Sequence, residues 1–142
     1  MAQVKSQRLQ TLKKLATWSE DEAARLLGEV QAKLQAEQQQ VDGLKHYYQE
    51  YLATIDQQKA LSRHELINYR HFCTQLAQTI KQGEFRVAKI VDEVEDKKSR
   101  WLLCRNKRQV LQDLIDRCVQ EEDQIAEQTL QKEIEDIWQS WR

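Results

Sequence analysis

The stretch LINYRHFCTQLAQTIKQGEFRVAKIVDEV, residues 66–94, has an apolar or small residue at alternating steps of three and four. The same spacing continues without a break to Ile125, with Gly83, Lys97, Arg108 and Glu122 as the exceptions to its apolar character. Its positions are Leu66, Tyr69, Cys73, Leu76, Ile80, Gly83, Val87, Ile90, Val94, Lys97, Trp101, Cys104, Arg108, Leu111, Ile115, Cys118, Glu122 and Ile125. A heptad stripe of this length predicts a coiled-coil helix, since a strand would alternate at every second residue.

A second stripe lies upstream of the first, between residues 9 and 55. Its positions are Leu9, Leu12, Ala16, Ser19, Ala23, Leu27, Val30, Leu34, Glu37, Val41, Leu44, Tyr48, Tyr51 and Ile55. Two successive steps of four meet at Ala23, which predicts a local stutter of the supercoil. Ser19 and Glu22 also have the spacing of a capping box, which leaves open a break in the helix at that point.

The segment DQQKALSRHE, residues 56–65, separates the two stripes. Ser62 followed by Glu65 has capping-box spacing and predicts that a helix begins near Arg63. We expect one all-α domain over residues 1–142, with helix 1 at about 4–58, a turn at about 59–62 and helix 2 at about 63–139. One short connection between two long helices predicts an antiparallel hairpin, a two-helix coiled coil.

Folding the chain back near residue 60 predicts which residues face each other. Leu27 would face Val94, Leu9 would face Leu111, and Arg108 would have no evident acidic partner. Residues beyond about 118 would overhang the first helix. Their apolar residues have helical spacing and predict either a binding surface or a frayed or self-associating tail; they are Leu130, Ile134, Ile137, Trp138 and Trp141.

The composition excludes several classes of protein. The chain has no Pro and three Gly, which favours few chain reversals, and its net charge of −1 supplies no general attraction to nucleic acid or membrane. No apolar run is long enough for a membrane span, the N-terminus lacks a signal-peptide core, and three cysteines do not suggest a disulfide framework. These features favour the cytoplasm.

Motifs for catalysis and for cofactors are absent from the sequence. It has no P-loop, no dinucleotide-binding glycine motif and no nucleophile elbow, and its three histidines have no zinc-site spacing. A rod of two helices also offers little material for a water-excluding pocket. We therefore expect no enzymatic activity, no metal and no cofactor.

Charge is unevenly distributed along the second helix. Residues 96–108 carry six basic groups and one acidic group, whereas residues 113–136 carry nine acidic and two basic groups. Residues 96–108 form a basic band that could bind an acidic protein surface. The alternative is that these charges only support the helices on their solvent-exposed faces. Nucleic-acid binding is the weaker alternative, because the neighbouring acidic stretch repels phosphate.

Aromatic residues are concentrated near the turn. Tyr48, Tyr51 and Leu76 fall on the stripes, while Tyr47 and Phe72 fall beside them. Two helices cannot bury residues all round, so part of this cluster should be exposed, as interface anchors are.

Three segments carry a resemblance to a known family. DEAARLLGEV at 21–30, residues 47–51 and INYRHF at 67–72 resemble the flagellar export protein FliJ family. The resemblance runs from the N-terminus to about residue 85. It implies a cytoplasmic, non-catalytic component of the flagellar type III export apparatus, peripherally associated with the inner-membrane export gate. It also implies an antiparallel coiled coil similar to the stalk of the rotary ATPase gamma subunit.

The resemblance further implies three kinds of partner. The end of the rod that carries both termini would enter the ring of the export ATPase FliI and activate it. The protein would also bind the export gate protein FlhA and escort emptied export chaperones. The FlhA-binding surface of the family matches Gln40, Leu44, Tyr47, Tyr51, Phe72, Leu76, Thr79 and Gly83.

Contact with the ATPase ring is assigned from the basic groups near the chain termini and the side chains beside them. They are Lys13, Lys14, Arg25, Leu26, Leu27, Lys97 and Arg100. The equivalent stalk of a virulence type III secretion system and a generic coiled-coil scaffold remain the alternatives. Binding to a flagellar or to a virulence ATPase would discriminate between a flagellar stalk and a virulence stalk.

Overall fold

The computed structural model describes residues 5–57 and 61–141. These form two helices, α1 over Lys5–Gln57 and α2 over Arg63–Ser140, and no strand occurs among the described residues. The predicted all-α hairpin is therefore confirmed. The predicted turn at about 59–62 lies partly outside the described residues.

Helix α2 begins at the predicted position. The Oγ of Ser62 accepts a hydrogen bond from the backbone N–H of Glu65 at 3.2 Å, which satisfies one of the N–H groups that lack a partner at a helix start. The other Ser–Glu pair, Ser19 and Glu22, does not mark the start of a helix, because α1 continues through both residues without interruption.

The chain divides into two compact units. The first comprises Met1–Ala24 and Arg100–Arg142, and the second comprises Arg25–Ser99. In each unit a segment of α1 pairs antiparallel with a segment of α2. Ser6 contacts Glu122 and Glu20 contacts Arg108 in the first unit, and Lys33 contacts Glu93 in the second.

The α2 side of the seam, the line along which the helices pack, follows the predicted stripe. Every stripe position from Leu66 to Glu122 is buried or half-buried. Ile125 is the first stripe position that is exposed, and all residues from 123 to 141 are exposed. The heptad pattern therefore identified the buried face of α2 residue by residue.

The α1 side of the seam corrects the predicted stutter. Lys13 and Glu20 are half-buried, whereas Leu12 and Ser19, which the stripe predicted on the seam, are exposed. From Ser6 onward, the buried and half-buried residues of α1 include an unbroken series in which steps of three and four alternate. The prediction of a stutter at Ala23 was therefore wrong. A polar side chain is tolerated on the seam where it has a partner, and this allows the heptad to continue unbroken.

Arg108 is the partner of Glu20, which corrects the expectation that it has none. The two side chains form an ion pair and are mostly buried. The fold-back estimate places position 101 opposite Glu20 and position 115 opposite Ser6. The observed partners, Arg108 and Glu122, lie seven residues further along in both cases. In the second unit the difference is smaller, since Val41 meets Gly83 where the estimate places position 80. A displacement along the seam preserves the buried face but changes the pairings.

Glu122 also satisfies the first turn of α1. Its carboxylate accepts hydrogen bonds from the Ser6 hydroxyl at 2.7 Å and from the Ser6 backbone N–H at 3.2 Å. Amide groups in a first helical turn have no carbonyl partner within the helix, and negative charge is favourable there. A carboxylate of α2 thus performs the role of a capping residue for α1.

The helices approach each other closely at Gly83 in the second unit. A Cβ placed there would lie 2.7 Å from Cγ2 of Val41, and Val41 is only 1% exposed. The absence of a side chain at Gly83 therefore allows Val41 to pack against the backbone of α2. Gly83 is buried on the seam and offers no side chain to the predicted FlhA-binding surface.

Alanine substitution of the three glycines should separate packing from helix propensity. Gly28→Ala and Gly43→Ala should each stabilise the fold by roughly 0.5–1 kcal/mol, because alanine favours the helix and nothing lies within 4 Å of the new Cβ. Gly83→Ala should destabilise it by about 1–3 kcal/mol, because overpacking against Val41 exceeds the propensity gain.

Urea unfolding followed by helical circular dichroism measures all three variants. Val41→Ala is the control for the mechanism, because it removes the methyl groups that the new Cβ meets. In its background the loss caused by Gly83→Ala should shrink. A stabilising effect of Gly83→Ala in the unmodified chain would contradict the close approach.

Candidate protein-binding surfaces

The described residues present exposed apolar and charged surfaces. Among them, no group of three or more His, Cys, Asp or Glu side chains is arranged to hold a metal ion. Cys73, Cys104 and Cys118 are free thiols on the seam of α2, facing a helix that contains no cysteine. They pack as small apolar side chains.

Neither helix, over its described residues, has a segment long and apolar enough to cross a membrane.

Four aromatic rings form a cluster in the second unit. Tyr51 lies at its centre, with ring centroids 4.8 Å from Phe72, 5.2 Å from Tyr69 and 6.3 Å from Tyr47. Tyr47 also meets Phe72 edge to face, at 6.4 Å and 79°. Such pairs add to the stabilisation from buried area and hold each other's orientation. We call Tyr47, Tyr51, Tyr69 and Phe72 the aromatic cluster.

The aromatic cluster is only partly buried. Tyr51 and Tyr69 lie on the seam and are half-buried, whereas Tyr47 is 49% exposed and Phe72 38% exposed. The two exposed rings lie beside the seam on opposite helices, where no third helix covers them. They are preorganised by their contacts with Tyr51, so a partner that packs on them orders few side chains on binding.

Tyr51 is the titratable group that this packing affects. Burial raises the pKa of the Tyr51 phenol, and the neighbouring Tyr69, Cys73 and Tyr47 raise it further. The phenol therefore stays neutral to a higher pH than an isolated tyrosine.

The predicted FlhA-binding residues all lie in the second unit, but they differ in accessibility. Gln40, Tyr47, Phe72 and Thr79 are exposed, Leu44 and Tyr51 are half-buried, and Leu76 and Gly83 are buried. The structure brings Tyr47, Tyr51 and Phe72 into contact. A shallow groove of about 370 Å³ is lined by the exposed Leu52 and by the half-buried Ile55 and Tyr69. It was not predicted, because Ile55 and Tyr69 fall on the stripes that form the seam and Leu52 was not considered.

The first unit contains an apolar groove between α1 and α2. Its volume is about 330 Å³, and it is lined by Leu12, Leu15, Ala16, Ser19, Arg100, Cys104, Lys107 and Leu111. Leu12 is 50% exposed and Leu15 is 61% exposed. We call these eight residues the basic groove. Two cations flank its apolar floor, and Leu12 was missed as a surface residue because the stripe placed it on the seam.

The predicted ATPase contacts are distributed over both units. In the first unit, Lys14 and Arg100 are exposed and Lys13 is half-buried on the seam. In the second unit, Arg25 is exposed and pairs with Glu29 at 2.5 Å, while Leu26, Leu27 and Lys97 are half-buried. Arg100 lines the basic groove.

The chain is similar to known proteins over most of its length. A family model described as "Flagellar FliJ protein" matches residues 5–139. A Salmonella typhi protein with that same description is 32% identical over 111 residues, which are 77% of this chain and 76% of that protein. No solved structure matches the chain.

The raised pKa of Tyr51 predicts a pH dependence of stability. The folded state retains the Tyr51 proton at pH values where the unfolded chain has lost it, so this contribution is complete below pH about 10 and declines above it. In a spectrophotometric titration of tyrosinate, Tyr51→Phe should remove a phenol that ionises at a higher pH than an isolated tyrosine. Tyr48→Phe is the matched control. Loss of an early-ionising group from Tyr51→Phe would contradict the assignment.

Proposed function

This chain belongs to the FliJ family of flagellar export components, and we propose that it is a non-catalytic stalk of that apparatus. It binds and activates the ring of the export ATPase FliI, contacts the export gate protein FlhA and escorts export chaperones. It acts in the cytoplasm and reaches the inner-membrane export apparatus through protein contacts only.

The observation that carries this proposal is the aromatic cluster. Tyr47 and Phe72 are large apolar rings that remain exposed although the fold holds them in fixed positions. Rigid aromatic side chains on a polar surface are typical of residues that dominate binding energy at protein interfaces. The cluster also contains three of the eight residues matched to the family's FlhA surface, namely Tyr47, Tyr51 and Phe72, which supports FlhA as its partner.

Contact with the ATPase is supported by charge and by apolar surface in the first unit. Arg100 and Lys107 flank the exposed Leu12 and Leu15, and Lys14 is exposed nearby in sequence on α1. This combination suits an acidic protein surface with an apolar centre. Two antiparallel helices present different side chains in each direction, so ring subunits around them would be contacted unequally. Unequal contacts favour one subunit conformation over another, which is the physical requirement for activation.

Truncating the exposed aromatic rings should weaken FlhA binding. Tyr47→Ala and Phe72→Ala should each lower the affinity for the cognate FlhA at least tenfold, or about 1.4 kcal/mol, because each removes an anchor that is already ordered. Titration calorimetry with the two purified proteins measures the change.

Phe85→Ala is the matched control for this experiment. Phe85 is an exposed phenylalanine of the same helix that contacts Lys89 and lies outside the aromatic cluster. Its truncation should leave the affinity within twofold. Equal losses for Phe72→Ala and Phe85→Ala, or no loss for either, would exclude the aromatic cluster as the FlhA contact.

Reversing exposed charges of the first unit should reduce activation of FliI. Lys14→Glu combined with Arg100→Glu should lower the stimulation of ATP hydrolysis by the cognate FliI at least fivefold, because like charges would then face the acidic surface. The measurement is the ATPase rate of FliI as the concentration of the variant is increased.

The control for charge reversal is Arg63→Glu combined with Lys81→Glu, which makes the same net change in the second unit at exposed positions. It should stimulate FliI as the unmodified chain does. Failure of the unmodified chain itself to bind or stimulate FliI would refute the proposed stalk function.

A further inference from the structure

The last nineteen described residues, 123–141, form a tail without a partner in the structure. They belong to α2 up to Ser140, yet every one of them is exposed. Two tryptophans and three branched apolar side chains at helical spacing are among the exposed large residues, namely Leu130, Ile134, Ile137, Trp138 and Trp141. Most of the stability of a helix in a protein comes from an apolar face that packs on something, and the tail has no such contact.

The apolar face of the tail is not a continuation of the seam. The three-and-four series of α2 beyond Ile125 falls on Thr129, Lys132 and Asp136, all polar. The apolar residues instead lie one or two positions further along the chain, as Leu130 and Ile134 do. One residue corresponds to about 100° around a helix, so this face is directed well away from the line that packs on α1. The tail is therefore patterned for a different surface.

Charge restricts what that surface can be. Residues 123–141 carry five acidic groups and one basic group, so the apolar face is flanked by carboxylates. A complementary surface must be apolar with cations at its edge. The basic groove has that character, with Leu12 and Leu15 exposed between Arg100 and Lys107.

The tail cannot reach the basic groove of its own chain. Helix α2 continues without interruption from the groove residues to Ser140, so the tail would need a break in the helix to fold back. A second copy of the chain has no such restriction. An antiparallel two-fold arrangement would place the tail of each copy in the groove of the other at the same time.

We propose that two copies of this chain associate through reciprocal docking of the acidic tail, residues 123–141, into the basic groove. Each tail lies as a third helix against Leu12 and Leu15, with its carboxylates next to Arg100 and Lys107. The two tryptophans of one tail can each remove roughly 150–250 Å² from water. Two such contacts bring the buried surface to the range of specific protein interfaces.

Sedimentation velocity of the full chain between about 1 and 200 µM tests for the dimer, which should form in this range and weaken as salt screens the charges. Trp138→Ser combined with Ile134→Ser should shift the dissociation constant upward at least tenfold. Both positions are exposed, so helicity by circular dichroism should not change in the monomer.

Exchange of charges provides the decisive test. Glu133→Lys with Asp136→Lys reverses the tail, and Arg100→Glu with Lys107→Glu reverses the groove; all four residues are exposed. Each double variant alone should be monomeric. Mixed in equal amounts they should form a heterodimer, because both tail–groove contacts then pair opposite charges.

Asp92→Lys with Glu95→Lys is the matched control, with the same residue spacing at exposed positions of the second unit. It should dimerise as the unmodified chain does. A chain that stays monomeric at all concentrations overturns the proposal. A dimer that neither double variant disrupts, or a mixture that fails to form the heterodimer, overturns it equally.

Discussion

Two helices packed side by side share only one buried line, and this constraint governs the rest of the structure. The buried and half-buried positions of α2 form one row from Leu66 to Glu122, joined only by the adjacent Gln112, and a matching row of α1 faces it; most of the other described residues are exposed. Apolar side chains beyond that row cannot be buried within the chain. Tyr47, Phe72, Leu12 and Leu15 are exposed for this reason, and each is available to another protein. Binding surfaces are thus a direct consequence of an architecture with so little core.

The seam contains polar residues where specificity of pairing is needed. Glu20 with Arg108, and Ser6 with Glu122, place charged or hydroxyl groups on a line that is otherwise apolar. Such pairs add little net stability, since desolvation offsets attraction, but a shifted register would leave them buried without partners. The close contact of Val41 with Gly83 restricts register sterically in the second unit. Together these contacts select one alignment among several that the heptads alone would permit.

The two units present different surfaces, and each suits a different partner. The second unit contains the aromatic cluster, in which Tyr51 holds Tyr47 and Phe72 in place. The first unit contains the basic groove and, beyond it, an acidic tail whose apolar face is directed away from the seam. The proposed contacts with an export gate and with an ATPase require two separate surfaces of this kind. Self-association through the basic groove would cover Arg100, so it would also compete with a partner that uses that cation.

Periodicity determined the helices, the buried face of α2 and the exposed position of Phe72, and the Ser62–Glu65 spacing determined the start of α2 near Arg63. These follow from local geometry, because a helical repeat and a capping residue act within a few positions of the chain. The tertiary structure decided the register, the choice of Lys13 and Glu20 over Leu12 and Ser19 on the α1 seam, and the burial of Gly83. Those depend on which side chains of one helix meet those of the other, and a displacement by one heptad leaves the local pattern unchanged while it changes every contact.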